Sequence, residues 1–283
     1  MRVALKSLEL NLMFATLLMS ALITGCSSQI VSPQVRQREA LSLASQQGWE
    51  ESLLTTTQFN LLAFIPSSIK KSDTLTVYLE GDGLAWVGTT TPSDNPTPIN
   101  PVGLKLALQD ESAAVYIARP CQYAPQGSCD KKYWTSHRFS VEVVNATDAA
   151  IDQVKARYGA TRLILVGYSG GAAVAALVAS TRTDVVQLIT IAGNLDHVFW
   201  TKQHHISPLT GSLNPADYWR VLQRIPQTHF VGEDDGTINR AVVDSYQRHM
   251  MDTRKVKVIV VPKFDHHCCW VRDWRQLKQQ ALE

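Results

Sequence analysis

Leu163-Ile164-Leu165-Val166-Gly167-Tyr168-Ser169-Gly170-Gly171 runs directly into Ala172-Ala173-Val174-Ala175-Ala176-Leu177. Four apolar residues without alternation read as a strand buried on both faces, the pattern of a sheet covered by helices. The alanine-rich run after Gly171 reads as a helix whose small side chains let it pack close to that sheet. Gly-Tyr-Ser-Gly-Gly between them has to turn sharply, with flanking positions free of side chains, and the turn carries the Ser169 hydroxyl to the head of the helix. G-x-S-x-G alone is short enough to recur by accident. The strand before it and the helix after it make it informative.

The same alternation extends in both directions. Apolar, β-rich runs at 59–65, 75–79, 114–118, 162–166, 185–191, 229–231 and 256–261 alternate with helical patterns at 101–109, 141–158, 170–180, 240–251 and 270–282. An α/β fold follows, a mostly parallel sheet flanked by helices in a single domain. Chemistry in such sheets gathers beyond the carboxyl ends of the strands. Two further ends carry polar residues: Gly232-Glu233-Asp234-Asp235-Gly236-Thr237-Ile238 after Val231, and Pro262-Lys263-Phe264-Asp265-His266-His267 after Val261. A serine hydroxyl attacks poorly unless a base takes its proton, and the base needs an acid to orient it and stabilise its charge. Serine, acid and histidine follow one another along the chain.

That order, with the turn at Ser169, resembles the α/β-hydrolase superfamily over roughly residues 59–282. Members often carry G-x-x-D with a hydrophobic residue three positions on, which selects Asp235. They also carry a histidine after the last strand, usually in G-x-x-H; Lys263 replaces the glycine, and His266 falls in register. Asp234 becomes the acid if its loop is one residue tighter, and His267 the base if the last turn is one longer. The resemblance implies a serine hydrolase acting on a small-molecule ester or thioester, with Ser169 as nucleophile, His266 as base, Asp235 as acid and no cofactor. A peptidase or amidase with the same machinery, and a non-catalytic envelope-binding lipoprotein on the same scaffold, are the alternatives.

The resemblance also implies an oxyanion hole. Its donors would be the backbone N–H groups of Gly170 and Asp82, the latter in the turn Glu80-Gly81-Asp82-Gly83. Much of the superfamily has His-Gly where this chain has Glu80-Gly81. The Asp82 carboxylate would repel a developing oxyanion unless it points away, accepts hydrogen bonds or is protonated. A cap insertion is expected at about 195–225, and the aromatics Trp86, Trp200, Tyr218 and Trp219 are candidates to wall a pocket. Asn194, Asp196 and His197 are candidates to line the same cleft. His266-His267-Cys268-Cys269 lacks the spacing to converge on one metal ion, so no metal site is expected.

Composition and the amino terminus bound the setting. Lys and Arg number 27 against 25 Asp and Glu, a formal charge of +2 without a basic tract interleaved with aromatics, so nucleic acid is not an expected partner. Arg2, Lys6 and the apolar run that follows read as an export signal over residues 1–25. Ile23-Thr24-Gly25-Cys26 resembles the lipobox of bacterial lipoproteins. This implies lipidation at Cys26 and a lipid-anchored protein of the cell envelope, with Ser27 in place of Asp favouring the outer membrane and a periplasmic face. Residues 26–57 read as a tether, with a short helix at 36–47, and 58–283 as the hydrolase domain. In an oxidising compartment Cys121, Cys129, Cys268 and Cys269 allow three pairings. Cys121 with Cys129 is favoured because it closes a short loop turned by Pro125 and Gly127.

Overall fold

The structure, a computed structural model, describes residues 30–123 and 129–283. The export signal, Cys26, Pro125 and Gly127 lie outside the described residues. Among those residues eight strands form one sheet: β1 (Trp49–Thr55), β2 (Asn60–Pro66), β3 (Thr74–Leu79), β4 (Ala114–Ile117), β5 (Arg162–Tyr168), β6 (Val185–Ile191), β7 (Gln227–Gly232) and β8 (Val256–Val261). Their spatial order is β1-β2-β4-β3-β5-β6-β7-β8. β2 runs antiparallel to both neighbours and every other pairing is parallel.

The helices are α1 (Pro33–Gln46), α2 (Val102–Ala107), α3 (Val141–Tyr158), α4 (Gly170–Thr181), α5 (His197–Gln203), α6 (Trp219–Leu222), α7 (Arg240–Arg248) and α8 (Trp270–Leu282). Both faces of the sheet are apolar, which is why its central strands lack alternation in sequence. Val77, Val115, Leu163 and Leu165 pack on one face with residues of α3, α4 and α7. Tyr78, Tyr116, Val166 and Tyr168 pack on the other with residues of α1, α2 and α8. Successive side chains on a strand alternate between these layers. α3 buries Val143, Val144, Ala150, Ile151, Val154 and Tyr158 at helical spacing and stops at Gly159, whose φ of 67° a side chain would disfavour.

The domain begins earlier than the sequence boundary at 58. α1 and β1 lie within the segment read as a tether, and the compact unit runs from Pro33 to Glu283. β1 pairs with β2 along its length, from Trp49 opposite Pro66 to Thr55 opposite Asn60. It escaped the sequence reading because it is an edge strand: only Trp49 and Leu54 are buried, and Glu50 and Glu51 face water. α1 is held by Ala40 and Ala44, and by the buried Arg36, whose guanidinium donates to the Thr97 carbonyl.

Cys121 and Cys129 are bridged, with Cα atoms 5.6 Å apart, and so are the adjacent Cys268 and Cys269. Among the described residues no helix is long and apolar enough to cross a membrane.

Candidate active site

β5 delivers its terminal residues to a strained turn. Ser169 has φ 51° and ψ −120°, a conformation that costs energy for a residue with a side chain and persists only where its surroundings enforce it. Its N–H donates to the Ile191 carbonyl (2.9 Å) and its carbonyl accepts from Ala172 N–H (3.1 Å), tying the turn to β6 and to the first turn of α4. The glycines around it are there for close approach. A Cβ on Gly171 would lie 2.3 Å from the Glu80 carbonyl oxygen, and one on Gly170 would lie 2.0 Å from Asp82 Oδ1.

β7 and β8 supply the partners. Asp235 is buried, and its Oδ1 accepts from the N–H groups of Thr237 and Ile238, both at 2.8 Å. Its Oδ2 lies 2.9 Å from His266 Nδ1, and His266 Nε2 lies 3.0 Å from Ser169 Oγ. With Nδ1 donating to the carboxylate, Nε2 carries the lone pair that faces the hydroxyl. A proton can therefore pass from Ser169 to His266 while Asp235 stabilises the resulting imidazolium. Asp234, by contrast, is exposed, and its N–H donates to the Phe264 carbonyl at 2.9 Å. His267 turns its Nδ1 to the Tyr168 hydroxyl at 3.2 Å. Lys263, where the G-x-x-H pattern has its glycine, has φ 63°, the left-handed conformation glycine usually supplies, so the loop keeps the register of that pattern.

The turn after β3 explains the departure at Glu80. Its buried carboxyl accepts from Gly81 N–H (2.9 Å), Gly103 N–H (3.1 Å) and Leu104 N–H (3.3 Å), joining the turn to α2. Burial pushes the Glu80 carboxyl above the ordinary carboxylate range, partly offset by those three N–H bonds. Asp82 is clamped from the other side. Arg138 Nη1 lies 2.6 Å from its Oδ2, and Arg119 Nη1 lies 3.3 Å from its Oδ1. Of the three ways in which the carboxylate could be kept from opposing an oxyanion, the structure uses engagement with donors.

Spacing gave no sign of Arg119 or Arg138. Arg119 does follow the carboxyl end of β4, the kind of position at which functional side chains collect, and that was the one signal available.

Two cavities meet at Ser169. One, about 420 Å³, is bounded by Glu80, Leu84, Pro98, Ile99 and Tyr168. The other, about 480 Å³, is bounded by Trp86, Arg138, Asn194, Trp200 and Ile206. Asp82, Gly83, Ser169, His266 and His267 line both. Of the candidate aromatics, Trp86 and Trp200 wall the second cavity, whereas Tyr218 and Trp219 pack against the core instead. Asn194 lines that cavity; Asp196 and His197 do not. Asp196 caps α5 through Phe199 N–H (3.1 Å) and binds Asn214 Nδ2 (3.1 Å) and the Ser245 hydroxyl (2.7 Å).

Strand order, the antiparallel second strand and the turn at the end of β5 together define the α/β-hydrolase fold. No family model and no curated protein matches the sequence. Solved structures do match the fold. An alpha-beta serine hydrolase homologue from Coxiella burnetii is 19% identical, with a TM-score of 0.56 over 82% of this chain and 95% of that one. An esterase from Pyrococcus furiosus is 13% identical, with a TM-score of 0.58 over 84% and 93%. The naproxen esterase of Bacillus subtilis is 10% identical, with a TM-score of 0.56 over 90% and 98%.

Proposed function

We propose that the protein is a serine hydrolase that cleaves carboxylic esters or thioesters of small molecules through an acyl-enzyme. The observation that carries this reading is the unbroken hydrogen-bond path from Ser169 Oγ through His266 to Asp235, at 3.0 and 2.9 Å, on a nucleophile held in a strained turn. Ser169 Oγ bonds to the substrate carbonyl carbon as its proton moves to His266 Nε2. The carbonyl oxygen becomes an oxyanion bound by the N–H groups of Gly170 and Asp82. Collapse breaks the bond to the leaving group, which departs with the proton from His266. Water then adds to the acyl-enzyme by the same route, and Ser169 is regenerated. No step requires a cofactor.

Cavities of about 420 and 480 Å³ suit a small ester better than a long acyl chain. Arginines around Asp82 ease the electrostatic objection to an aspartate at the oxyanion position. Lipidation at Cys26 would set the enzyme at the outer membrane, facing the periplasm.

Rapid mixing with p-nitrophenyl butyrate, its thioester analogue and butyryl-p-nitroanilide tests the reading. The expected result is a burst of p-nitrophenolate equal to the enzyme concentration, with the anilide cleaved far more slowly. Turnover of the anilide at the ester rate would move the assignment to an amidase, and turnover of none would remove it.

A further inference from the structure

We propose that the cavity on the Arg138 side of Ser169 recognises a carboxylate on the substrate, so that the preferred ester carries a second, acidic group. This inference rests on the hydrolase reading and names its substrate class. Arg138 is the first observation. Its side chain is 8% exposed and lines the cavity that also holds Ser169 and Gly170. Nε donates to the Thr135 carbonyl at 2.7 Å and Nη1 to Asp82 Oδ2 at 2.6 Å, while Nη2 has no hydrogen-bond partner among the described residues. A guanidinium keeps its charge at every physiological pH, so an unpaired nitrogen on a buried one is a donor awaiting an acceptor.

Asn194 is the second, independent observation. It is 3% exposed, lies just beyond β6 and lines the same cavity; its Oδ1 is buried without a partner, and its Nδ2 makes no hydrogen bond among the described residues. Of the two atoms only Nδ2 can donate to an anion; Oδ1 accepts and is left for a donor such as a hydroxyl or water. A carboxylate can accept from both Arg138 Nη2 and Asn194 Nδ2.

Charge points the same way. Among the described residues Asp82 is the only carboxylate lining this cavity, and it is shared between Arg119 and Arg138, leaving one positive charge in excess over the three groups. The other cavity adds Glu80 to Asp82 and has no arginine among the described residues, so it disfavours an anion. Trp86, Trp200, Ile206 and Leu209 give the Arg138 cavity apolar walls, suited to a short hydrocarbon spacer between ester and carboxylate.

The test compares mono-p-nitrophenyl glutarate with p-nitrophenyl pentanoate, esters of matched length that differ in the terminal carboxylate. The wild type is expected to favour the acidic ester by about tenfold or more in kcat/KM, chiefly through KM, and sodium chloride should erode the preference. The ratio between the two esters is the readout. It should collapse toward one in Arg138→Gln and invert in Asn194→Asp, which puts a like charge at the site without touching the Asp82 pairs.

Titration of active serine with a fluorophosphonate normalises each variant. Quenching of tryptophan fluorescence by free glutarate, lost in Asn194→Asp, reports the anion site even if no ester is cleaved. A wild type that prefers the neutral ester, or a ratio unmoved in both variants, overturns the proposal. Absence of fluorophosphonate labelling with glutarate binding intact overturns the hydrolase reading instead.

Discussion

Ser169 sits between two structures built on different principles. On one side, His266 and Asp235 are placed by backbone: each hangs from the end of a parallel strand, and Asp235 is fixed by two N–H groups of its own loop at 2.8 Å. On the other, the turn from Glu80 to Gly83 is placed by side chains from distant parts of the chain, with Asp82 clamped by Arg119 and by Arg138, 56 residues away. The first half depends on local geometry and the second on buried charge, so the two should fail differently when altered. The seam between them has no spare room: Gly170 meets Asp82, and Gly171 meets Glu80.

The largest expected effect falls on the backbone-placed half. Ser169→Ala and Asp235→Asn should each lower kcat/KM for p-nitrophenyl butyrate by about 10⁴, with denaturation midpoints close to wild type. A comparable loss of folding stability in Asp235→Asn would erase the distinction between the halves. Asp82→Ala should act the opposite way, because it leaves two buried arginines without their carboxylate. About 3–5 kcal/mol of stability should be lost in urea denaturation, alongside whatever activity falls. Gly171→Ala probes the seam; its Cβ would have to displace backbone, and a loss of about 1–3 kcal/mol is expected by the same measurement.

The smallest effect is a pH dependence carried by Glu80. Burial raises its folded-state value, so the folded chain holds this proton to higher pH than the unfolded chain does. Its contribution to stability is therefore fully present below the unfolded value of about 4.3 and declines as pH rises through the folded one, by at most about 1.4 kcal/mol per pH unit. The stability of wild type minus that of Glu80→Gln, followed from pH 4 to pH 8 (about the range in which most domains are most stable), should fall toward neutral pH. A difference independent of pH would mean that the three N–H bonds offset burial, and one that rises toward neutral pH would mean that they outweigh it.

The same contrast explains what could be read from the letters. That Ser169, Asp235 and His266 come together was legible because parallel strands put side chains at one edge of the sheet. Whether Asp235 or Asp234, His266 or His267, reaches Ser169 depends on loop geometry that spacing alone leaves one residue loose; with Lys263 at φ 63° and the Asp235 loop closed on Ile238 N–H, Asp235 and His266 are the pair in line. β1 was hidden because five of its seven residues are not buried. The Asp82 clamp was hidden for a different reason: ion-pair partners are chosen by three-dimensional proximity, and nothing near Asp82 in sequence names Arg138. Glu80 reads as an ordinary turn residue until the first turn of α2 is seen to donate to its carboxyl.

Labelling with a fluorophosphonate, followed by intact mass and peptide mapping, tests the coupling of Ser169 to His266 most directly. One adduct per chain on Ser169 is expected, absent in Ser169→Ala and formed about a hundredfold or more slowly in His266→Ala. A folded wild type that takes no label, or takes it on another residue, would contradict the account.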